Sequence, residues 1–186
     1  MHMEKSYRIR RQRYEDVTRP FTCGDSDLDD FFRNDSIHYS RQKLATSYVM
    51  EDDAEVLAYF AIANDRISVE DFQRSSSFNK FRKRFVNSKR MRGYPAVKLC
   101  RLAVKEQSKH KGLGTEIIDL LKGTFYKMQR SACRFLIVDA YQKSVDFYLK
   151  NGFRPVNDVV DSTRYTIPMY FDLADMDQHS EACRIY

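Results

Sequence analysis

The sequence predicts an α/β (or α+β) protein in which helices flank a sheet. Three observations lead to this prediction. Short runs of alternating apolar and polar residues, typical of half-buried strands, occur near the N-terminus and again after residue 44. Apolar residues at helical spacing follow Gly112, and a second helical pattern ends at the stop signal Asn151-Gly152. Finally, residues 101–114 (RLAVKEQSKHKGLG) pass from an apolar strand through a polar loop into a helix.

The composition is that of one globular domain, which we expect to span residues 1–186, with a core of about 6–173 and a polar tail of 174–186. Hydrophobic residues make up 42% of the chain and charged residues 31%. No apolar run approaches the roughly 18–20 residues of a membrane span, and the start MHMEKSYRIRRQR lacks a signal-peptide core. The sequence therefore favours a cytoplasmic protein without a membrane partner.

The cysteines and histidines are scattered, and no Cys-x-x-Cys pair occurs. We therefore expect reduced thiols, with neither a disulfide framework nor a bound metal. The four cysteines are Cys23, Cys100, Cys133 and Cys183.

Strand patterns dominate the first third of the chain. Residues 6–13 alternate and predict a strand with one wet face. Residues 45–50 and 56–63 predict an antiparallel pair that turns at 51–54.

A helical region is predicted between these strands. Asp25 or Ser26 can cap a short amphipathic helix, which we expect to break near Asn34 and to be followed by a second helix. Its apolar side is formed by Leu28, Phe31 and Phe32.

Residues 70–89 (EDFQRSSSFNKFRKRFVNSK) predict a helix with Phe78, Phe81 and Phe85 on one face. Aromatic residues interleaved with cations can bind nucleic acid. Alternatively, the phenylalanines dock the helix on the core while the cations lie in water. Both interpretations can hold at once, because a docked aromatic face leaves the basic face available. The cations are Lys80, Arg82, Lys83, Arg84 and Lys89.

Residues 95–104 (PAVKLCRLAV) predict a central strand. Its apolar alternation changes phase between Leu99 and Leu102, as a β-bulge would produce. The helix that follows residue 112 has the strongest apolar face, formed by Leu113, Ile117, Leu120, Leu121, Phe125 and Met128.

Three strands and a helix are predicted after it. Residues 135–138 form a short buried strand, and residues 141–150 form a helix. Phe153 and residues 163–173 form closing strands, with Pro168 as an interruption.

The polar loop and the helix start have the features of an anion site. The first amides of a helix lack intrahelical partners, and the helix dipole adds partial positive charge there. Lys109, His110 and Lys111 add cationic or titratable groups, while Gly112 and Gly114 allow a close approach to the main chain. The pattern predicts a pyrophosphate site.

Two common phosphate loops do not match this stretch. The Walker string G-x-x-x-x-G-K-S/T is absent, and the dinucleotide fingerprint would need a glycine in place of Ile117. Residues 109–114, after a strand ending in Leu-Ala-Val, instead resemble the acetyl-CoA loop of the GNAT N-acetyltransferases, Gln/Arg-x-x-Gly-x-Gly/Ala, with Lys109 at its first position.

This resemblance implies a mixed, mostly antiparallel sheet that splays at its centre, and acetyl-CoA as co-substrate. Leu102, Ala103 and Val104 would bond the pantetheine arm through the main chain, and an amide near Val104 would stabilise the oxyanion. The pyrophosphate would be held by Lys109, His110, Lys111, Gly112, Leu113, Gly114 and Thr115.

Residues 139–153 (DAYQKSVDFYLKNGF) resemble the strand–helix signature of the same family, which ends in Phe-Tyr-x-x-x-Gly-Phe. Ser144 and Tyr148 are four residues apart and would share a helix face. The resemblance implies that Tyr148 protonates the departing thiolate and that Ser144 contacts the cofactor. A core tyrosine with a satisfied hydroxyl is the alternative. No general base stands out, although Asp52, Asp53 and Glu55 border the strand pair.

Residues 21–32 (FTCGDSDLDDFF) resemble a GNAT branch that includes toxins of toxin–antitoxin pairs. Such toxins acetylate the α-amine of aminoacyl-tRNA and are held inactive by a small DNA-binding antitoxin. The net charge of +6 agrees with an RNA substrate. A small-molecule or protein amine as acceptor, a non-catalytic acyl-CoA-binding module, and assembly as a homodimer stay open.

Overall fold

The computed structural model describes residues 7–87, 89–127, 131–157 and 165–177. The strands in this part of the chain are β1 Arg8–Arg11, β2 Thr46–Glu51, β3 Val56–Ser68, β4 Gly93–Val104, β5 Phe135–Tyr141, β6 Arg154–Pro155 and β7 Thr166–Asp172. The α-helices are α1 Ser26–Asp30, α2 Ser36–Arg41, α3 Ser75–Arg82, α4 Leu113–Lys127 and α5 Val145–Lys150.

The strands form a mixed, mostly antiparallel sheet in the order β1-β2-β3-β4-β5-β7-β6, which confirms the predicted fold class. Among the described pairings, β4 with β5 is the parallel one, and it covers three residue pairs, from Ala96 with Phe135 to Lys98 with Ile137. If β4 and β5 diverge at the centre of the sheet, as predicted, their pairing has to stop after a few residues, and it stops at Lys98. A register shift is described between Met50 and Glu51; the bulge expected in β4 stays a prediction.

The chain folds into two compact units, each built from two stretches. The first holds the residues up to Ala63 together with Leu99–Ile118, and the second holds Asn64–Lys98 together with the residues from Asp119 onwards. The single domain expected over residues 1–186 stays a prediction.

The core of the first unit is an aromatic cluster around Tyr59. The ring centroid of Phe32 lies 4.9 Å from that of Tyr59 and that of Phe21 lies 5.5 Å from it. The Tyr59 hydroxyl donates to the Leu28 carbonyl at 2.6 Å, so this strand residue holds the helical region in place. The buried members are Phe21, Cys23, Phe31, Phe32, Val49, Val56, Tyr59, Ala61 and Ala103.

The helical region follows its prediction closely. Asp25 caps α1 by accepting a hydrogen bond from the Leu28 amide at 3.4 Å. The break expected near Asn34 is a π-helical stretch, Phe31–Asp35, which joins α1 to α2. Such a widened turn rotates the following residues about the helix axis.

The core of the second unit is also aromatic. Phe135 is fully buried between Phe81 at 5.5 Å and Tyr170 at 5.7 Å, measured between ring centroids. The other buried members are Ile67, Phe78, Tyr94 and Ala96, and half-buried Phe72, Phe81 and Phe85 pack against them. The predicted docking of the phenylalanine face is confirmed.

Two helix boundaries and one face assignment were predicted wrongly. The helix expected over 70–89 is shorter, because a 3-10 turn at Val69–Asp71 precedes α3 and the helix ends at Arg82. The helix expected from 141 begins at Val145, because β5 continues to Tyr141. Leu120, assigned to the apolar face of α4, is 41% exposed, whereas the neighbouring Ile118 is fully buried.

Pro168 does not interrupt its strand, contrary to the prediction. β7 runs through it, with Ile167 opposite Ala140 and Met169 opposite Val138. Proline removes one amide donor but keeps its carbonyl, and that carbonyl accepts from the Val156 amide at 2.9 Å.

The tail expected at 174–186 is ordered in its described part. Leu173–Met176 form a 3-10 turn, Arg154 pairs with Asp175 at 2.6 Å, and Tyr126 donates to Asp177 at 2.6 Å. Residues 178–186 lie outside the described residues, as do Met128 and residues 158–164. In the described part of the chain, no helix is both long and apolar enough to cross a membrane.

A buried ion network fastens β1 to β2. Glu51, 1% exposed, accepts from Arg8 at 2.8 Å, from Arg10 at 2.7 Å and from Arg19. Arg10 also donates to both carboxylate oxygens of Asp16, at 2.7 and 2.8 Å. The hydrogen bonds from Arg10, and then those from Arg19 and Arg8, lower the pKa of Glu51 to about 2.

This network predicts an acid-sensitive fold. Because the folded pKa of Glu51 lies below its ordinary value of 4.5, its stabilising contribution is complete above pH 4.5 and is lost as the pH falls towards about 2. Replacing Glu51 by Gln should remove that pH dependence and cost about 3 kcal/mol at neutral pH, since arginines lose a buried partner. Urea unfolding at a series of pH values measures both effects.

The control is Glu15→Gln, which changes an exposed carboxylate in the same unit. Equal pH dependence of unfolding in wild type and Glu51→Gln would contradict the assignment.

Candidate functional site

The strand, loop and helix predicted to bind phosphate occur in that order. β4 ends at Val104, a 3-10 turn follows at Glu106–Ser108, and α4 begins at Leu113. Two left-handed residues re-aim the chain between them, His110 with φ 61° and Gly112 with φ 85°. Glycine is the natural residue at such a φ, whereas a β-carbon makes it costly.

The helix start offers its amides as predicted. The Glu116 amide donates to the Gly112 carbonyl at 3.0 Å, which is the first bond of the helix, so the amides of residues 113–115 precede the regular intrahelical pattern. Leu113 is buried and anchors this end of α4, whereas Thr115 is exposed and Gly114 half-buried. Lys109, His110 and Lys111 are all exposed around it.

The strand residues expected to bond pantetheine lie at the end of β4. Ala103 is 3% exposed and belongs to the core of the first unit, while Leu102 and Val104 are half-buried. Just beyond them, Lys105 is fixed by its amide, which donates to Leu57 at 2.8 Å, and by its ammonium group, which pairs with Glu55.

The N-terminal segment Thr22–Gly24 supports the loop, which the sequence did not predict. The Glu106 amide donates to the Thr22 carbonyl at 2.9 Å. Asp29, largely buried in α1, accepts from the Thr22 hydroxyl at 2.6 Å and from the Cys23 amide at 2.8 Å. A helix carboxylate therefore fixes the segment on which the turn before the phosphate loop rests.

Gly24 lies in direct contact with this turn. Its φ is 76°, and a β-carbon at this position would lie 3.0 Å from a carboxylate oxygen of Glu106 and 3.7 Å from the ammonium nitrogen of Lys109. The adjacent Cys23 is buried, and burial, followed by its hydrogen bond with Asp29, raises the pKa of its thiol to about 11. The Cys-Gly pair is therefore a packing feature with an unreactive thiol. In the sequence, Gly24 within a polar stretch is the one local feature that indicates this close contact.

Tyr148 lies in the second unit, on α5, and is 6% exposed. Its ring packs edge-on against Phe147 at 5.1 Å and Phe153 at 5.4 Å between centroids. Burial raises the pKa of its hydroxyl above the ordinary value of 10, so the group stays protonated at neutral pH. A neutral phenol is the form that an acid catalyst needs.

Lys122 and Asn151 hold the end of α5, and the sequence pattern did not single out either contact. The Asn151 side chain donates to the Phe147 carbonyl at 2.8 Å. Lys122 of α4 donates to the Asn151 carbonyl at 2.7 Å, and its ammonium nitrogen lies 4.2 Å from the centroid of the Phe171 ring. Gly152, with φ 77°, ends the helix as predicted.

Ser144 does not lie inside a regular helix. It ends the 3-10 turn Gln142–Ser144 and is the residue before α5, with φ −108° and ψ −3°. It therefore does not share a regular α-helical face with Tyr148, because the first turn has the tighter 3-10 geometry.

The acidic residues near the β2–β3 turn have structural tasks. Asp52 accepts from the amides of Ala54 and Glu55, and hydrogen bonds from the main chain lower its pKa, which makes it a weaker base. Glu55 is paired with Lys105, and Asp53 is exposed. In the residues that the structure describes, no group of three or more His, Cys, Asp or Glu could hold a metal.

The chain belongs to the GNAT acetyltransferase family. Residues 31–169, well over half of the chain, match the family described as "Acetyltransferase (GNAT) domain". The protein is accordingly an N-acetyltransferase, with acetyl-CoA as its co-substrate. No match was found among curated protein sequences.

Several solved toxin structures share the fold. The toxin AtaT complexed with acetyl-methionyl-tRNAfMet matches with a TM-score of 0.72 and 18% identity, covering 94% of this chain and 99% of that one. A Tyr-to-Phe variant of AtaT bound to the C-terminus of the antitoxin AtaR matches with 0.70 and 18%, covering 95% and 98%. A Tyr-to-Phe variant of KacT matches with 0.68 and 18%, covering 94% and 99%.

Gly24 provides a test of the support under the phosphate loop. We expect Gly24→Ala to weaken acetyl-CoA binding about fivefold to tenfold, because its β-carbon crowds the Glu106 carboxylate in the turn before the loop, whereas the left-handed strain itself costs about 1 kcal/mol of stability. Isothermal titration calorimetry measures the affinity and thermal unfolding the stability.

The matched control is Gly123→Ala on α4, where a β-carbon meets nothing within 4 Å. It should leave affinity unchanged and stabilise the helix by about 0.5–1 kcal/mol. Unaltered acetyl-CoA affinity in folded Gly24→Ala would refute the supporting role.

Proposed function

We propose that this N-acetyltransferase acetylates the α-amino group of aminoacyl-tRNA, in a toxin-like role in the cytoplasm, and that residues 1–186 act as a single catalytic domain. The observation that carries the proposal is the match, over 94% of this chain, to AtaT holding acetyl-methionyl-tRNAfMet. It is supported by the toxin-like phrase at residues 21–32, whose Gly24 contacts the phosphate-loop turn.

In this proposal the loop and helix start hold the cofactor. The amides of residues 113–115 and the exposed Lys109, His110 and Lys111 face the pyrophosphate, where partial and full positive charges oppose its negative charge. The main chain of Leu102, Ala103 and Val104 bonds the pantetheine arm. The side chain of Ser144 contacts the cofactor from the end of the short turn before α5.

The reaction needs little covalent assistance from the protein. The neutral amine attacks the thioester carbonyl, and the amide near Val104 stabilises the resulting oxyanion. The carbon–sulfur bond then breaks, the Tyr148 hydroxyl gives its proton to the thiolate, and the surplus ammonium proton passes through water, from which the Tyr148 phenolate takes a proton back. The raised pKa of Tyr148 keeps its hydroxyl protonated before the reaction and favours the return of the proton afterwards.

A small antitoxin is the expected protein partner. AtaT has been solved with the C-terminus of the antitoxin AtaR. We therefore propose a partner of the same kind for this chain, encoded beside it. Sedimentation of the pure protein distinguishes a monomer from the homodimer that the sequence leaves open.

Transfer of labelled acetyl groups tests the function directly. Pure protein is incubated with labelled acetyl-CoA and total charged tRNA, and the label in RNA is counted before and after mild base. Base hydrolyses the aminoacyl ester, so we expect label to leave the RNA as an acetylated amino acid. Absence of label in RNA, from protein that binds acetyl-CoA, would overturn the tRNA proposal and direct the search to small-molecule and protein amines.

Tyr148→Phe should lower kcat about 100-fold, at the lower end of acid catalysis, because a thiolate is already a fair leaving group. Affinity for acetyl-CoA should stay unchanged, since the ring and its contacts remain. Because the pKa of Tyr148 lies above 10, wild-type kcat should show no loss from its ionisation below about pH 9.

Stopped-flow measurement of thiol release, with calorimetry for binding, separates these effects. The control is Tyr165→Phe, which removes the hydroxyl of a tyrosine that is 73% exposed. Equal kcat in Tyr148→Phe and wild type would show that Tyr148 is a core residue alone.

A further inference from the structure

The excess positive charge of the protein lies in one segment. Residues 75–92 hold seven of the 32 Lys and Arg residues and none of the 26 Asp and Glu residues. The remaining chain has 25 basic and 26 acidic residues, a net charge of −1 against +6 for the whole. The net positive charge of the protein therefore comes from residues 75–92, and the contacts of these residues decide what the charge can bind.

The segment is fixed to the second unit by its aromatic side chains. Phe78 is 3% exposed, and Phe85 lies 4.3 Å from Tyr94 between ring centroids. Phe81 contacts Phe135 at 5.5 Å. The three rings therefore pack in the core, where a ligand cannot stack on them.

Arg84 contacts core residues through its guanidinium group. Its guanidinium carbon lies 4.4 Å from the Phe81 ring centroid, and it pairs with Asp172 at 3.4 Å. Asp172 is bound in addition by Arg134 at 2.7 Å. Arg84 thus anchors the segment through its guanidinium group while its side chain stays partly exposed, a double role that the sequence did not predict.

Four other cations of the segment are exposed to solvent. They are Lys80, Lys83, Lys89 and Arg90. In the part of the chain that the structure describes, none of them has an acidic partner within 4.0 Å. Nearby Val86 is 86% exposed as well.

We propose that Lys80, Lys83, Lys89 and Arg90 form a docking surface for RNA phosphates, which receives the body of the tRNA in the proposed function. Unpaired cations gain affinity by releasing counterions from a polyanion. Because the rings are buried in the core, the surface contacts phosphates and does not stack on bases. Binding is therefore independent of nucleotide sequence and strongly dependent on salt.

The test compares two sets of three exposed lysines, each changed to Gln. One variant carries Lys80→Gln, Lys83→Gln and Lys89→Gln, and the control carries Lys43→Gln, Lys127→Gln and Lys150→Gln, with the same change of charge. Fluorescence anisotropy measures binding of deacylated tRNA between about 50 and 200 mM salt.

For the first variant we expect the slope of log K against log salt to become shallower by about 3, roughly one for each lost phosphate contact. The control should keep the wild-type slope. Equal slopes for the two variants would overturn the proposal. The proposal would also be overturned if the first variant bound tRNA as wild type does but bound polyglutamate or anionic vesicles more weakly than wild type. That result would favour an acidic protein or a membrane surface as the partner.

Acetyl transfer separates this inference from the proposed function on which it rests. On aminoacyl-tRNA the first variant should show a raised KM, while on an aminoacyl-oligonucleotide of the three terminal nucleotides its KM should equal that of wild type. If wild-type enzyme acetylates neither substrate, the proposed function fails, and the binding slopes still decide the docking surface. A raised KM on both substrates would show that the lysines serve the active site and would overturn the docking role.

Discussion

The main-chain bond from Glu106 to Thr22 is the contact on which the arrangement around the phosphate loop depends. The loop contains two left-handed residues, His110 and Gly112, which local preferences alone do not fix. The bond brings a segment from the N-terminal end of the chain under the turn that precedes them. Asp29 then holds that segment through two hydrogen bonds, so one carboxylate on a short helix orders a loop far away in sequence.

Periodicity was sufficient for the regular parts of the fold. The strand pair β2–β3, the central strand β4 and the long helix α4 follow from apolar spacing, because each has one face that must be buried. Boundaries were less predictable. α3 ends early, where Arg84 turns towards Asp172, and β7 continues through Pro168, because its other backbone groups are still paired.

The candidate site was predicted where its signal is local. The glycines of the loop and the spacing that leads to Tyr148 can be read along the chain. The contacts of Asp29 with Thr22 and Cys23, and of Lys122 with Asn151, could not be predicted, because no local pattern encodes a partner that the fold brings near. The basic segment shows the same limit, since spacing predicted the docked rings but not the contacts of Arg84 with the Phe81 ring and with Asp172.

The shortness of α5 has a consequence for control of the enzyme. Six residues form less than two turns, which is too short for a helix to persist in water without its neighbours. Tyr148 is therefore held by Asn151, Lys122 and the surrounding rings, and only while these stay packed. Heat or proteolysis that loosens this unit would displace Tyr148, so local unfolding would remove the proposed acid group before the rest of the fold is lost.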